Sequence, residues 1–205
     1  MSDNSTQEIV RFLQRQNIQL KQENQELQRE VHSLRDVLEA LQGLQEVSAG
    51  LNMRTDVLFL MNRILESALT SILATDGSLM LLDEETGELV FVVVYGQVGQ
   101  SLLGYRIAPS EGIAGWVAKN KQPVIVEDVN RDPRFSPEVD QEFKFHTHSM
   151  VSVPILFGDD VLGVIQALNK KDGALFTEAD QTLLSVVAQL AATAMTTMTR
   201  LMGKA

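Results

Sequence analysis

Gly77-Ser78-Leu79-Met80-Leu81-Leu82-Asp83-Glu84-Glu85-Thr86-Gly87-Glu88-Leu89-Val90-Phe91-Val92-Val93-Val94-Tyr95 is the stretch on which the fold turns. Two apolar runs, Ser78 to Leu82 and Leu89 to Tyr95, flank the polar segment Asp83 to Gly87. Strand-forming residues on either side of an acidic, glycine-ended turn predict a β-hairpin, with Asp76-Gly77 opening the first strand. Further along, Met150 to Phe157 and Val161 to Leu168 flank Gly158-Asp159-Asp160, a second hairpin. Shorter strands are read at Tyr105 to Ile107 and Val124 to Val126. Strands joined as hairpins, without regular crossover helices, call for an antiparallel rather than a parallel sheet, here of about six strands.

Helices bracket these hairpins. A helix is predicted from Asp56 to about Leu73, capped by Thr55, with Val57, Met61, Ile64, Leu65, Ala68 and Ile72 as its buried stripe. Pro109-Ser110 starts a short helix through Lys119, with Ser110 as the cap. Thr177-Glu178-Ala179-Asp180 is a capping-box variant before a long helix to about Met202. Leu183, Val187, Leu190, Ala194, Met198 and Leu201 line one face of that helix. The first and last helices are expected on one sheet face. The short helix and the irregular polar segment from Asp128 to His148 are expected on the other. A polar stretch of that length inside a domain is a mark of function or disorder.

Before the domain, leucines recur every seven residues at Leu13, Leu20, Leu27, Leu34 and Leu41, with Val10, Asn17, Asn24, Val31 and Leu38 at the other seam position. A seven-residue apolar repeat imposes a left-handed supercoil. Asparagine at the a position favours a parallel, in-register pair, and Glu30 reaches Arg35 of the second chain. Residues 1–49 are therefore read as a coiled-coil dimerisation helix and 50–205 as a separate folded domain, with the boundary near Gly50. The competing reading is an amphipathic helix packed on its own domain.

The chain of 205 residues carries a net charge of -10 and no cysteine. The acidity argues against a general nucleic-acid or anionic-membrane binder. The missing thiol excludes disulfides, cysteine nucleophiles and cysteine-ligated metals. The longest apolar run, Leu89 to Tyr95, is far short of the ~20 residues of a membrane span. The polar start Met1-Ser2-Asp3-Asn4 is no secretory signal, so a cytoplasmic protein is expected.

Gly112-Ile113-Ala114-Gly115-Trp116-Val117-Ala118, then Asp128 to Phe135, then Val153-Pro154-Ile155, resemble GAF domains in order and spacing. Asn169-Lys170, Phe176 and Asp180 resemble the Asn-Lys…Phe…Asp signature of the regulatory GAF domains of cyclic-nucleotide phosphodiesterases. The acidic residue that follows in the family is Gln181 here. The resemblance spans about residues 50–205. It implies an α+β fold, a central antiparallel sheet flanked by helices, and a regulatory module without catalysis of its own.

It also implies ligand positions: Ser78 on the first strand, Ile113 and Ala114 at the short helix, Asp140 and Thr147 on the lid, and Gln166 on a late strand. An aromatic-acidic pair that closes the family's pocket becomes Tyr95-Gly96, and a lid threonine becomes Phe143. Lys170 and Asp180 are implied as a structural ion pair, with Phe176 packed beneath. No resident cofactor is expected; a cyclic nucleotide or another small molecule is the candidate ligand. The alternatives are a ligand-free coupling module and a haem-type sensor. His146 and His148 share a face if extended, and no third metal ligand accompanies them. The nucleophile elbow Gly-x-Ser-x-Gly of hydrolases is absent. An output domain or partner protein is expected to carry the effect of binding.

Overall fold

The first hairpin forms, and a computed structural model shows its place in the sheet. The structure describes residues 53–97 and 99–202, with residues 16, 20 and 21 near the N-terminus. β1 (Ala74–Leu82) pairs antiparallel with β2 (Leu89–Tyr95), Ser78 opposite Val94 and Leu82 opposite Leu89. β3 (Arg106–Ile107) extends β2, and β4 (Val124–Val126) extends β5 (Met150–Phe157). β6 (Asp160–Lys170) joins the halves by pairing with both β1 and β5. The six strands lie in the order β3-β2-β1-β6-β5-β4, all antiparallel. β1 begins earlier than expected, because Ala74 finds a partner in Lys170 and Asp76 one in Leu168.

α1 (Met53–Ser71) and α5 (Glu178–Met202) cover one face, as expected. Met61, Ile64, Leu65, Ala68 and Leu69 of α1 meet Leu79, Val153, Ile165 and Ala167 of the sheet. On α5 the buried stripe is Leu184, Val187, Ala188, Ala191, Ala192 and Ala194, which keeps Val187 and Ala194 of the expected set and has Leu184 and Ala191 in place of Leu183 and Leu190. Leu183 and Leu190 flank it, half-buried. Small residues let α5 lie close on the sheet, so contact distance rather than side-chain size selects the buried face.

The second face carries α2 (Gly99–Leu102), α3 (Gly112–Asn120), a 3₁₀ turn (Val129–Arg131) and α4 (Glu138–Phe143). Two of these correct the sequence reading. Residues 99–102 form a helical turn between two strands where the sequence reading placed no element, and the 128–148 segment carries a 3₁₀ turn and a helix where an irregular stretch was expected. Asp128 caps the 3₁₀ turn by accepting from the Asn130 N–H. Two predicted caps also fail. α1 already begins at Met53, so Thr55 lies inside it. α3 has Glu111 at its cap position with no side-chain hydrogen bond, and Ser110 sits in the left-handed region at φ 64°.

That turn explains the two glycines of α3. A Cβ on Gly115 would stand 2.4 Å from the Ser110 carbonyl carbon, and Gly112 has φ 63°. Both serve the backbone reversal that starts α3. The boundary near Gly50 and the heptad seam lie outside the described residues, except for Gln16, Leu20 and Lys21. These three are helical and exposed, Leu20 by 60%.

Candidate functional site

A cleft of about 750 Å³, open mouth included, lies between the second sheet face and the segment from α3 to α4. Ser78, Tyr95, Ile113, Ala114, Asp140, Phe143, Thr147 and Gln166 all line it. The sheet supplies the floor. Ser78, Gln166 and Ser152 stand opposite one another on β1, β6 and β5, a polar row across the sheet. The Gln166 amide donates to Ser152 Oγ at 3.3 Å. Ser78 is 2% exposed, and its Oγ has no hydrogen-bond partner among the described residues. An unpaired buried hydroxyl costs about 1–3 kcal/mol, so its place in a cavity wall is a mark of unfinished recognition.

The lid closes on itself. Asp140 accepts from the Thr147 N–H at 2.7 Å and from the Thr147 hydroxyl at 2.8 Å. These two candidate ligand contacts therefore hold each other across the α4 turn. Aromatic packing fastens the lid from the other side. The Tyr105 ring meets Phe143 edge-on at 5.2 Å, and its hydroxyl donates to Glu142 at 2.8 Å. That bond to a carboxylate raises the Tyr105 phenol above its usual pKa. Next to the lid, the Arg134 guanidinium bridges Asp132 at 2.5 Å, holds its carboxyl below the usual range and stacks on Trp116 at 4.4 Å.

Asn169 ties the lid to β6. Its carbonyl oxygen accepts from the His148 N–H at 2.7 Å, and its amide donates to the His146 carbonyl at 2.8 Å. The side chain reaches both because Asn169 adopts φ 52°, which asparagine tolerates. Lys170 then donates to Asp180 at 2.5 Å, and its ammonium lies 5.8 Å from the Phe176 ring. The ion pair and the packed phenylalanine thus stand where the resemblance implied them. His146 and His148 are both exposed and line no part of the cleft. Among the described residues no group of three His, Cys, Asp or Glu is placed to hold a metal.

Sequence reasoning missed Asp76, Glu111, Phe135, Phe145 and Met150, which also line the cleft. Asp76 was legible. Two residues before Ser78 lies the same strand face, but Asp76-Gly77 was read only as the opening of a strand that begins at Ser78. The others depend on how α3 and the lid fold over the sheet. The wall holds three acids, Asp76, Glu111 and Asp140, and no Lys, Arg or His.

Known proteins share this fold. The GAF domain family model matches residues 55–196. A dual 3',5'-cyclic-AMP and -GMP phosphodiesterase 11 of Drosophila melanogaster is 38% identical over 81 residues, 39% of this chain and 6% of that protein. A probable 3',5'-cyclic phosphodiesterase pde-5 of Caenorhabditis elegans is 34% identical over 108 residues, 53% of this chain and 14% of that protein. The chain thus spans only a small part of these relatives. Among solved structures, the GAF domain of a phosphoenolpyruvate-protein phosphotransferase from Coxiella burnetii superposes with a TM-score of 0.65 at 21% identity, covering 82% of this chain and 97% of that one. A free methionine-R-sulfoxide reductase from Neisseria meningitidis, in complex with its substrate, gives 0.57 at 21% identity over 68% and 78%. At such identities the likeness is one of fold. With the sheet order, the two-faced helical cover and a family model spanning most of the sequence in agreement, the chain belongs to the GAF domain family.

Proposed function

We propose that this chain is a regulatory module that senses a small molecule in the cleft and relays its occupancy to an effector domain or partner protein. The observation that carries this reading is the convergence of eight residues, picked out in the sequence for ligand contact, on the wall of one cleft. The catalysis in such a system belongs to the effector. No thiol is available in this chain for the reductase chemistry that some proteins of this fold perform. No helix among the described residues is long and apolar enough to cross a membrane, and a cytoplasmic setting is part of the proposal.

A cyclic nucleotide is the first ligand to test. The similarity to cyclic-nucleotide phosphodiesterases supports it. So does the start of α3 at the cleft, where free N–H groups suit a phosphate. Occupancy would act on the Asp140–Thr147 lid. From there a contiguous chain of bonds runs through Asn169 and Lys170 to Asp180 at the head of α5. Only a ligand with different affinity for two lid arrangements can shift them.

Cyclic AMP or cyclic GMP at ~100 times its Kd should add about 2.7 kcal/mol to stability. For a domain of this size that is a rise in Tm of roughly 5–10 °C. No shift with either at millimolar concentration removes the cyclic-nucleotide reading, and silence across a metabolite panel leaves the ligand-free coupling module.

Dimerisation is the second part of the proposal. The heptads from Val10 to Leu41 would form a parallel coiled coil, and the helical, exposed Leu20 supports it. Light scattering is expected to give twice the chain mass. A monomer at micromolar concentration overturns this part.

A further inference from the structure

The inner end of the cleft carries a carboxylate that the family pattern does not supply at this position. Where an acidic side chain follows the aromatic residue in the resembling domains, this chain has Tyr95-Gly96. Gly96 has φ 108°, and a Cβ there would stand 2.1 Å from Asp76 Oδ1. The space of a side chain at position 96 is thus filled by the carboxylate of Asp76, reaching across from β1.

Asp76 is 8% exposed and joins no ion pair among the described residues. Oδ1 accepts from the Gln97 N–H at 2.8 Å, and Oδ2 from the Thr75 hydroxyl at 2.5 Å. A carboxylate offers about four acceptor sites. One bond on each oxygen leaves one site free on each. Two free sites on adjacent oxygens match two parallel N–H donors. Two residues along the same strand face stands Ser78, whose buried hydroxyl has no partner. Asp140 also takes one bond on each oxygen, but it is less buried and rides on the six-residue lid helix α4. Asp76 stands on the sheet, where its position is rigid. The wall as a whole holds three acids and no base, so it favours a donor-rich group.

We infer that Asp76 is a specificity-determining residue of this cleft, and that it selects a ligand whose inner end presents two adjacent N–H donors on a planar, amidine-type edge. This rests on the cleft being the sensing site. Two sources offer that edge: a guanine ring and a protonated amidine. An adenine ring places a donor beside an acceptor nitrogen, and the acceptor would face the carboxylate.

The test measures binding of cyclic GMP, cyclic AMP and benzamidine to the full chain by calorimetry, with Asp76→Asn and Ser78→Ala as variants. The wild type is expected to bind cyclic GMP, benzamidine or both more tightly than cyclic AMP. Tight cyclic GMP alone identifies a guanine-type ligand, and benzamidine alone a free amidine. Asp76→Asn keeps an oxygen for the Gln97 N–H but turns one acceptor into a donor. It should weaken the favoured probe by about tenfold or more, while the preference over cyclic AMP narrows or reverses. Ser78→Ala should weaken binding with no loss of unliganded Tm, because the hydroxyl has no partner to lose.

Cyclic AMP preferred by the wild type, or less than a twofold change in Asp76→Asn, overturns the inference and leaves the sensing reading intact. If the three probes fail but another metabolite binds, sensitivity of that metabolite to Asp76→Asn decides the inference in the same way. Failure of every ligand overturns both.

Discussion

Asp180→Ala is expected to lower the stability of the domain by about 3–5 kcal/mol, a fall in Tm of roughly 6–20 °C. One carboxylate oxygen, Oδ2, accepts three donors: Lys170 Nζ at 2.5 Å, the Thr177 N–H at 2.7 Å and the Thr177 hydroxyl at 2.9 Å. The Lys170 and Asp180 side chains are only 12% and 11% exposed. Removing Asp180 leaves the ammonium buried beside Phe176 without a counter-charge, and it opens the capping box at the head of α5. The cost comes chiefly from the orphaned charge. Lys170→Met added to Asp180→Ala should therefore recover part of the loss, which a thermal double-mutant cycle reads directly. If the double variant is as unstable as the sum of the singles, the two residues do not act as a pair.

Gly163→Ala is the second large effect. Gly163 lies on β6 between its two partners, opposite Leu81 of β1 and Ile155 of β5. A Cβ there would stand 2.1 Å from the Met80 carbonyl oxygen and 3.1 Å from Leu81 Cα. Both obstacles are backbone in the pair of strands that joins the sheet halves, so no rotamer change relieves the contact. β1 and β6 must part locally, and their ladder bonds weaken with them. A loss of about 4 kcal/mol or more in chemical denaturation is expected. Gly99→Ala is the control. Its nearest neighbour, the Val94 carbonyl oxygen, lies 3.8 Å away, so the change should be close to neutral. Equal stability of the two variants would show that the sheet yields at Gly163.

Such effects were only partly legible in the sequence. The Thr177–Asp180 cap could be read because its residues lie within one helical turn. The reach of Lys170 to Asp180 came through the family resemblance. The Gly163 constraint could not be read, because a glycine inside a strand pattern reports only that something is close. What lies close is a strand about 80 residues earlier in the chain. The failed caps at Thr55 and Ser110 have a similar cause. Capping residues are common in turns, and the backbone around Ser110 is set by the approach of Gly115 rather than by its own hydroxyl.

By itself the sequence determined what short-range chemistry determines. Apolar runs on either side of acidic turns specified the hairpins, and helical stripes specified which elements cover the sheet. The spacing from Gly112 to Asp180 pointed to the family. The tertiary structure alone decided how the cleft is used. It turned Asp140 and Thr147 toward each other, left the Ser78 hydroxyl without a partner, and set the Asp76 carboxylate where Gly96 has no side chain. The reason is physical. The surroundings of Asp76 and Ser78 are set by strand register across 20 residues or more of chain, and the Asp140–Thr147 bond by the way the chain turns back after α4.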